Sequence, residues 1–208
     1  MSTVAIIDYG RGNVRSVANA IEYCGAGAVI TADPQTIDDA THIILPGVGS
    51  FGDAMAALRA RDLPGILHRQ VFERGKPLLG VCLGMQLLAA RSAEHGEHAG
   101  LGWITGEVVR LVAGPDALKI PHMGWNNIAI KQPHPLFEGL GSNQLNFYFV
   151  HSYHFRPDDL ESVVASCDCG LPFVAAVAKN NIVAAQFHPE KSQDSGIEVL
   201  ENFIAWSP

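Results

Sequence analysis

The stretch that most restricts how this chain can fold is PLLGVCLGMQLLAARS, residues 77–92. Its first half is wholly apolar, so a strand built from it has no face to give to water and must be covered on both sides. It stops at glycines and passes straight into helix-forming residues, which gives a strand, a sharp turn and a helix in that order. The same order occurs twice earlier. VAIIDYG leads into NVRSVANAIEYCG, where Val14, Val17, Ala18, Ala20 and Ile21 fall on roughly one helical face, and HIILPGVG leads into FGDAMAALRAR. AVITA adds a short strand, the turn-rich ADPQTIDDA a connection, and LPGILHRQVFERG a helical segment set off by Pro64 and Gly65. Strands alternating with helices form an α/β fold with an open, mostly parallel central sheet flanked by helices. Right-handed crossovers bring Gly47, Gly49 and Cys82 to one carboxyl edge of that sheet.

The pattern changes after Gly100. GEVVRLV, NNIAI, LNFYFVHSY, SVVASC and FVAAVAKNNIVAAQF are short strand-like runs separated by Gly, Pro or Asn, which predicts antiparallel additions in the second half. Asn180 and Asn181 suit a tight hairpin turn, since asparagine tolerates positive φ. SGIEVLENFIAW predicts a closing helix. With no repeat and no linker long enough to divide the chain, the expectation is one domain over residues 1–208.

Charge narrows the partners. Fourteen Lys and Arg against 21 Asp and Glu give a net charge of -7, without the basic cluster that phosphate contacts require, so nucleic acid is not an expected partner. MSTVAIIDYGRGN carries no basic leader, and no run approaches the roughly eighteen apolar residues of a membrane span, so a cytoplasmic chain is expected. Its four cysteines are then expected as reduced thiols. Cys24 falls in a helical stretch, and Cys167 and Cys169 on one face of a strand. Only Cys82 has a chemical setting.

GVCLG places Cys82 on a strand-to-helix elbow, where small neighbours allow a close backbone and the helix start favours a thiolate. The plainer reading is a buried small hydrophobe. QFHPEKS supplies His188 and Glu190 two residues apart after an extended segment, on one side of it, so His188 can serve as the base and Glu190 can orient the ring. PGVGSF supplies glycines that let a peptide N–H turn toward an oxyanion, with Val48 and Leu83 as candidate donors, or merely end a strand. PGVG lacks the lysine and hydroxyl of a phosphate loop. His95 with His98, and His151 with His154, lack further ligands at metal spacing. No cofactor or metal is expected.

GVCLGMQLL together with QFHPEKS resembles the class I, Cys-His-Glu glutamine amidotransferases. PGVGSF, HMGWN and FVHSY are similar to the glutaminase subunits of imidazole glycerol phosphate synthases, and the likeness runs over nearly the whole chain. The resemblance implies that Cys82 attacks the side-chain amide of L-glutamine, with ammonia released and a thioester resolved by water. It implies glutamine contacts around Gly47, Gly49, Gln86, Ser152 and Tyr153. It also implies a heterodimer with a barrel-shaped cyclase subunit, which receives the ammonia through a protected channel and makes imidazole glycerol phosphate and aminoimidazole carboxamide ribotide.

For that interface the candidates are Lys191, next to the triad carboxylate, with Trp125 and Tyr148, whose aromatic area would exclude water, and Asn13, which otherwise caps the first helix. His122 and His151 are read as orienting or packing residues of the HMGWN and FVHSY loops. The alternatives are a glutaminase feeding a different synthase, a noncatalytic subunit of the same fold, and a cysteine peptidase. The low share of charged residues, 17%, fits a surface partly covered by a partner.

Overall fold

The computed structural model describes residues 2–112, 119–141, 145–170 and 172–208. Its first five strands are β1 (Thr3–Ile7), β2 (Gly27–Thr31), β3 (His42–Gly47), β4 (Leu78–Cys82) and β5 (Arg91–Ser92). They are followed by β6 (His98–Ala99), β7 (Gly106–Arg110), β8 (His122–Ile130) and β9 (Asn146–His151). The last are β10 (Tyr153–Pro157), β11 (Val163–Asp168), β12 (Pro172–Lys179) and β13 (Ile182–Ala185). Between them lie α1 (Val14–Tyr23), α2 (Pro34–Asp39), α3 (Phe51–Arg59), α4 (Leu63–His68), α5 (Leu83–Leu87) and α6 (Gln193–Ala205).

One sheet has the order β2-β1-β3-β4-β13-β12-β11-β8-β9 and a second the order β10-β7-β5-β6. In the large sheet, pairing is parallel from β2 to β13 and antiparallel from β13 to β9. The alternation of the apolar strands explains why they carry no polar face. Val4, Ile6, Leu79 and Val81 pack on one side with Val17 and Ile21 of α1 and Leu200 and Phe203 of α6. Ala5, Ile7, Ile43 and Leu45 pack on the other with Phe51 and Leu58 of α3 and Leu63 and Leu67 of α4. Burying each such side chain contributes roughly 1.5–3 kcal/mol, so both layers are needed to hold the sheet.

The predicted α/β architecture with antiparallel additions is what forms, including the β12–β13 hairpin with Asn180 at φ 54. Several local readings change. ADPQTIDDA contains α2, whose start is signalled by Asp33 accepting from the Thr36 N–H at 2.8 Å and by Pro34 in the first turn. Pro64 and Gly65 sit inside the first turn of α4 and do not divide it, and Arg69–Glu73 continues it as a wider π-type turn. MQLLAARS is helical only to Leu87; Arg91 and Ser92 turn into the small sheet. HMGWN is not a loop, because it forms the first half of β8. Its outer face is open to solvent, which removes the apolar alternation that reveals a strand. Cys24 caps the end of α1, and Cys167 closes the buried part of β11 with Cys169 just beyond it. Among the described residues, none of the four cysteines forms a disulfide. Among the described residues, no helix is long and apolar enough to cross a membrane.

Candidate active site

β3 and β4 run side by side with Gly47 opposite Cys82, so the two carboxyl ends open at the same place. Cys82 has φ 54 and ψ -109, a backbone that a non-glycine residue adopts only when its surroundings enforce it. The enforcement is close packing: a Cβ on Gly84 would stand 1.8 Å from the Leu45 carbonyl oxygen, so only glycine lets α5 leave β4 at this angle. The side chain of Cys82 is 6% exposed. α5 is a single short helix of five residues, so the close backbone, more than a long dipole, distinguishes this cysteine.

After β13 the chain reaches His188 and enters a 3-10 turn, Pro189–Lys191. That turn, not the alternation of a strand, brings Glu190 back onto His188. The ring Nδ1 lies 2.9 Å from Glu190 Oε1, with both side chains almost fully buried. Ser192 fixes the turn from behind: its hydroxyl donates to the His188 carbonyl at 2.6 Å and accepts from the Tyr148 N–H at 3.0 Å. The His188 N–H donates in turn to the Tyr148 carbonyl at 2.9 Å. His188 Nε2 is buried and has no protein hydrogen-bond partner. Burial works against a charged ring, but the Cys82 and Glu190 side chains more than offset it and push His188 up to about 10. Its partners therefore favour the protonated ring, an acid beside the sulfur.

Cys82 and His188 sit in a cavity of about 260 Å³. Val48, Gly49 and Leu83 form one part of its wall, Gln86 and Glu94 another, and Ser152, Tyr153 and Lys191 a third. Of the predicted positions, Gly47 is not on this wall. It lies beneath it, where a Cβ would meet the Tyr9 hydroxyl at 2.6 Å and Leu83 Cβ at 2.9 Å. The carbonyl oxygens of Ser152 and Tyr153 are already used within the protein. Ser152 accepts from the Leu111 N–H at 2.9 Å and Tyr153 from Gln86 Nε2 at 2.9 Å.

Three contributors escaped the sequence reading. Tyr9 donates its hydroxyl to the Pro46 carbonyl at 2.8 Å and so holds the strand end that carries Val48. Burial, then the nearby Cys82, raises its ionisation far above the usual phenol range. Glu94 is 9% exposed and accepts from the Phe51 N–H at 2.6 Å, a carboxylate at the cavity wall drawn from a charged loop without periodicity. Ser192 follows the HPEK segment and has no signal beyond its adjacency.

A pair of histidines, His122 and His151, also meets the site, with His151 on the cavity wall. His151 Nδ1 is 2.9 Å from the Tyr153 carbonyl, which can only accept, so that nitrogen carries the proton. His151 Nε2 then accepts from His122 Nδ1 at 3.0 Å, and His122 Nε2 accepts from Asn126 Nδ2 at 2.7 Å. Burial is the main cause that pushes His151 down to about 3, and it lowers His122 as well, so this pair stays neutral.

Trp125 and Tyr148 are direct cross-strand partners on β8 and β9, their ring centroids 6.0 Å apart, with Trp125 42% exposed. The Lys191 ammonium lies 5.7 Å from the centre of the Tyr148 ring, which is itself 6.5 Å from the His188 ring. These three candidates thus form one patch that runs from the surface to His188. Asn13 stands apart at the start of α1, exposed, and makes no side-chain capping hydrogen bond, against the expectation that it caps that helix. No group of three or more His, Cys, Asp or Glu among the described residues is placed to hold a metal ion.

The family profile described as Glutamine amidotransferase class-I matches residues 5–206. Imidazole glycerol phosphate synthase subunit HisH 2 of Nitrobacter winogradskyi is 55% identical, with all of both chains covered. The corresponding HisH subunit of Zymomonas mobilis is 46% identical over all of this chain and 97% of the relative. Among solved structures, PurLQS from Thermotoga maritima aligns over 98% of each chain with a TM-score of 0.77 at 19% identity, a likeness of fold. With a family profile and full-length relatives in agreement, the chain belongs to the class-I glutamine amidotransferases, and within them to the HisH family.

Proposed function

We infer that the protein hydrolyses the side-chain amide of L-glutamine and delivers the ammonia to the cyclase subunit of an imidazole glycerol phosphate synthase. The observation that carries this reading is the buried His188–Glu190 pair, with Nδ1 2.9 Å from Oε1, which shares with Cys82 a cavity large enough for a small amino acid. The Cys82 thiolate attacks the amide carbon, forming the S–C bond, and the C=O electrons move onto oxygen. Val48 and Leu83 N–H groups are the donors proposed for that oxyanion. When the carbonyl reforms, the C–N bond breaks and the nitrogen takes the proton of His188, leaving as ammonia. The neutral imidazole next takes a proton from water, whose oxygen attacks the thioester. Collapse of that second intermediate breaks the C–S bond and gives glutamate, with the proton back on His188. Glu190 keeps the ring oriented and stabilises its charge through both halves.

Within the cavity, Gly49, Gln86, Ser152 and Tyr153 are the proposed contacts for glutamine, and Glu94 offers a negative charge for its ammonium group. Gly47 supports the wall from beneath. The residues 1–208 act as a single domain in this reading. The partner is a barrel-shaped cyclase in a cytoplasmic heterodimer, docked over Trp125, Tyr148 and Lys191, with Asn13 at the margin. Ammonia passes through a closed channel, and the cyclase makes imidazole glycerol phosphate and aminoimidazole carboxamide ribotide.

The test is to mix the purified chain with such a cyclase and follow glutamine hydrolysis with and without the cyclase's nucleotide substrate. Turnover rises on mixing, and rises again with the nucleotide. Cys82→Ala abolishes glutamine-dependent product while ammonia-dependent synthesis by the cyclase persists. Hydrolysis that is indifferent to the cyclase would direct the ammonia to a different synthase.

A further inference from the structure

Gln186 lies two residues before His188 in the QFHPEKS segment and is completely buried, at 0% exposure. It bridges two parts of the site. Its Nε2 is 3.7 Å from Cys82 Sγ, and its Oε1 accepts from Gln86 Nε2 at 3.0 Å. The remaining proton of Gln86 Nε2 goes to the Tyr153 carbonyl at 2.9 Å.

These bonds have a single consistent polarity. A main-chain carbonyl only accepts, so the end of the Gln86 amide touching Tyr153 is its NH2 group. An NH2 group only donates, so Gln186 must turn its oxygen to it. The opposite end of Gln186, the one facing the sulfur, is then NH2. One backbone oxygen thereby decides the orientation of two amides that are otherwise interchangeable in shape. Both N–H bonds of Gln86 are consumed, although Gln86 is on the cavity wall. What it offers a ligand is its carbonyl oxygen.

We propose that Gln186 is a positioning residue of the site, which presents an N–H to the reacting sulfur and holds Gln86 so that an acceptor faces the ligand. Gln86 then selects a ligand group that donates N–H, such as an ammonium or a carboxamide, and disfavours one that can only accept. A hydrogen bond to a charged acceptor supports the thiolate, because the donor is desolvated whether or not it is used. This inference rests on the reading of Cys82 as the nucleophile of a glutaminase.

The experiment compares the parent chain, Gln186→Met and Cys82→Ser. Methionine fills the same space without either polar group. Gln186→Met is expected to lower kcat for glutamine hydrolysis about tenfold and to raise KM by a similar factor, since both the sulfur and Gln86 lose a partner. Alkylation of Cys82 by iodoacetamide should require a higher pH in this variant, while His188 and Tyr9, the other titratable groups beside the sulfur, are unchanged in sequence. A purely structural role would lower the melting temperature without moving the alkylation profile. A second measurement needs no change at Gln186: in the parent, its side-chain amide NMR signal shifts as the sulfur titrates, and Cys82→Ala removes that shift. Unchanged kinetic constants and alkylation profile in a folded Gln186→Met, or an amide signal indifferent to Cys82, overturn the proposal. Glutamine hydrolysis surviving in Cys82→Ser overturns instead the reading of Cys82 as the nucleophile, on which it rests.

Discussion

Two buried histidines face the same cavity, and they are held in opposite states. His188, in the turn after β13, is pushed up to about 10, whereas His151, at the end of β9, is pushed down to about 3. Both are desolvated, and desolvation alone favours a neutral ring. The difference is what each touches. His188 has a carboxylate at 2.9 Å and a thiol beyond its other nitrogen, while His151 meets a carbonyl oxygen at 2.9 Å and a second neutral imidazole at 3.0 Å. Burial therefore does not determine charge in this site; the partner does, and that separation gives the cavity one acid and one neutral support.

The largest blow to this contrast is Glu190→Gln. It keeps the shape of the turn but withdraws the negative charge, so the His188 proton is held less tightly and the ring loses its fixed orientation. Glutamine hydrolysis should fall about 10²–10⁴-fold, and the basic limb of its pH profile should move to lower pH. A loss smaller than fivefold would mean that Glu190 does not support the ring.

Stability against pH separates the two histidines by sign. The folded value of His188 is raised, so its contribution is fully present below the ordinary value of 6.5 and is lost as pH rises through about 10. The folded value of His151 is depressed, so its contribution is present above 6.5 and is lost as pH falls toward about 3. In urea melts the acid limb should have a slope of up to roughly 1.4 kcal/mol per pH unit from this one group. His151→Gln, which retains a donor and an acceptor, should flatten that limb and leave the alkaline one in place. An unchanged acid limb would show that His151 is not held neutral.

Trp125→Ala sharpens the contrast at the surface. The ring is 42% exposed, so the unfolding free energy from urea melts should change by about 0.5 kcal/mol or less, while affinity for the cyclase drops by roughly 1–2 kcal/mol in titration calorimetry. The smallest effect is expected for Asn13→Ala. A working helix cap contributes about 1 kcal/mol, but Asn13 makes no capping bond, so unfolding should be unaltered within about 0.5 kcal/mol.

Much of the site was legible because its signals are local. Cys82 between Gly80 and Gly84 announces an elbow, since only glycine tolerates the approach of the Leu45 carbonyl. His188 and Glu190 were found together, although a 3-10 turn and not an extended strand aligns them. The first strands of the sheet were legible because burial on both faces leaves wholly apolar runs. β8 was half missed, since an open outer face erases the alternation, and β5 and β6 are two residues each, too short for any period.

By itself, the sequence determined the alternation of long strands and helices in the first half, the position of the elbow and the candidate trio Cys82, His188 and Glu190, because these depend on neighbours within a few residues. Only the tertiary structure decided which histidine is pushed toward its charged form, that Tyr9 and Glu94 stand at the cavity, and which way the amides of Gln86 and Gln186 face. The first outcome depends on desolvation and on the partners each ring meets, and the other two on hydrogen bonds between residues from 37 to 104 positions apart in the chain. Such contacts leave no pattern in a window of sequence, since each partner taken alone is an ordinary polar residue.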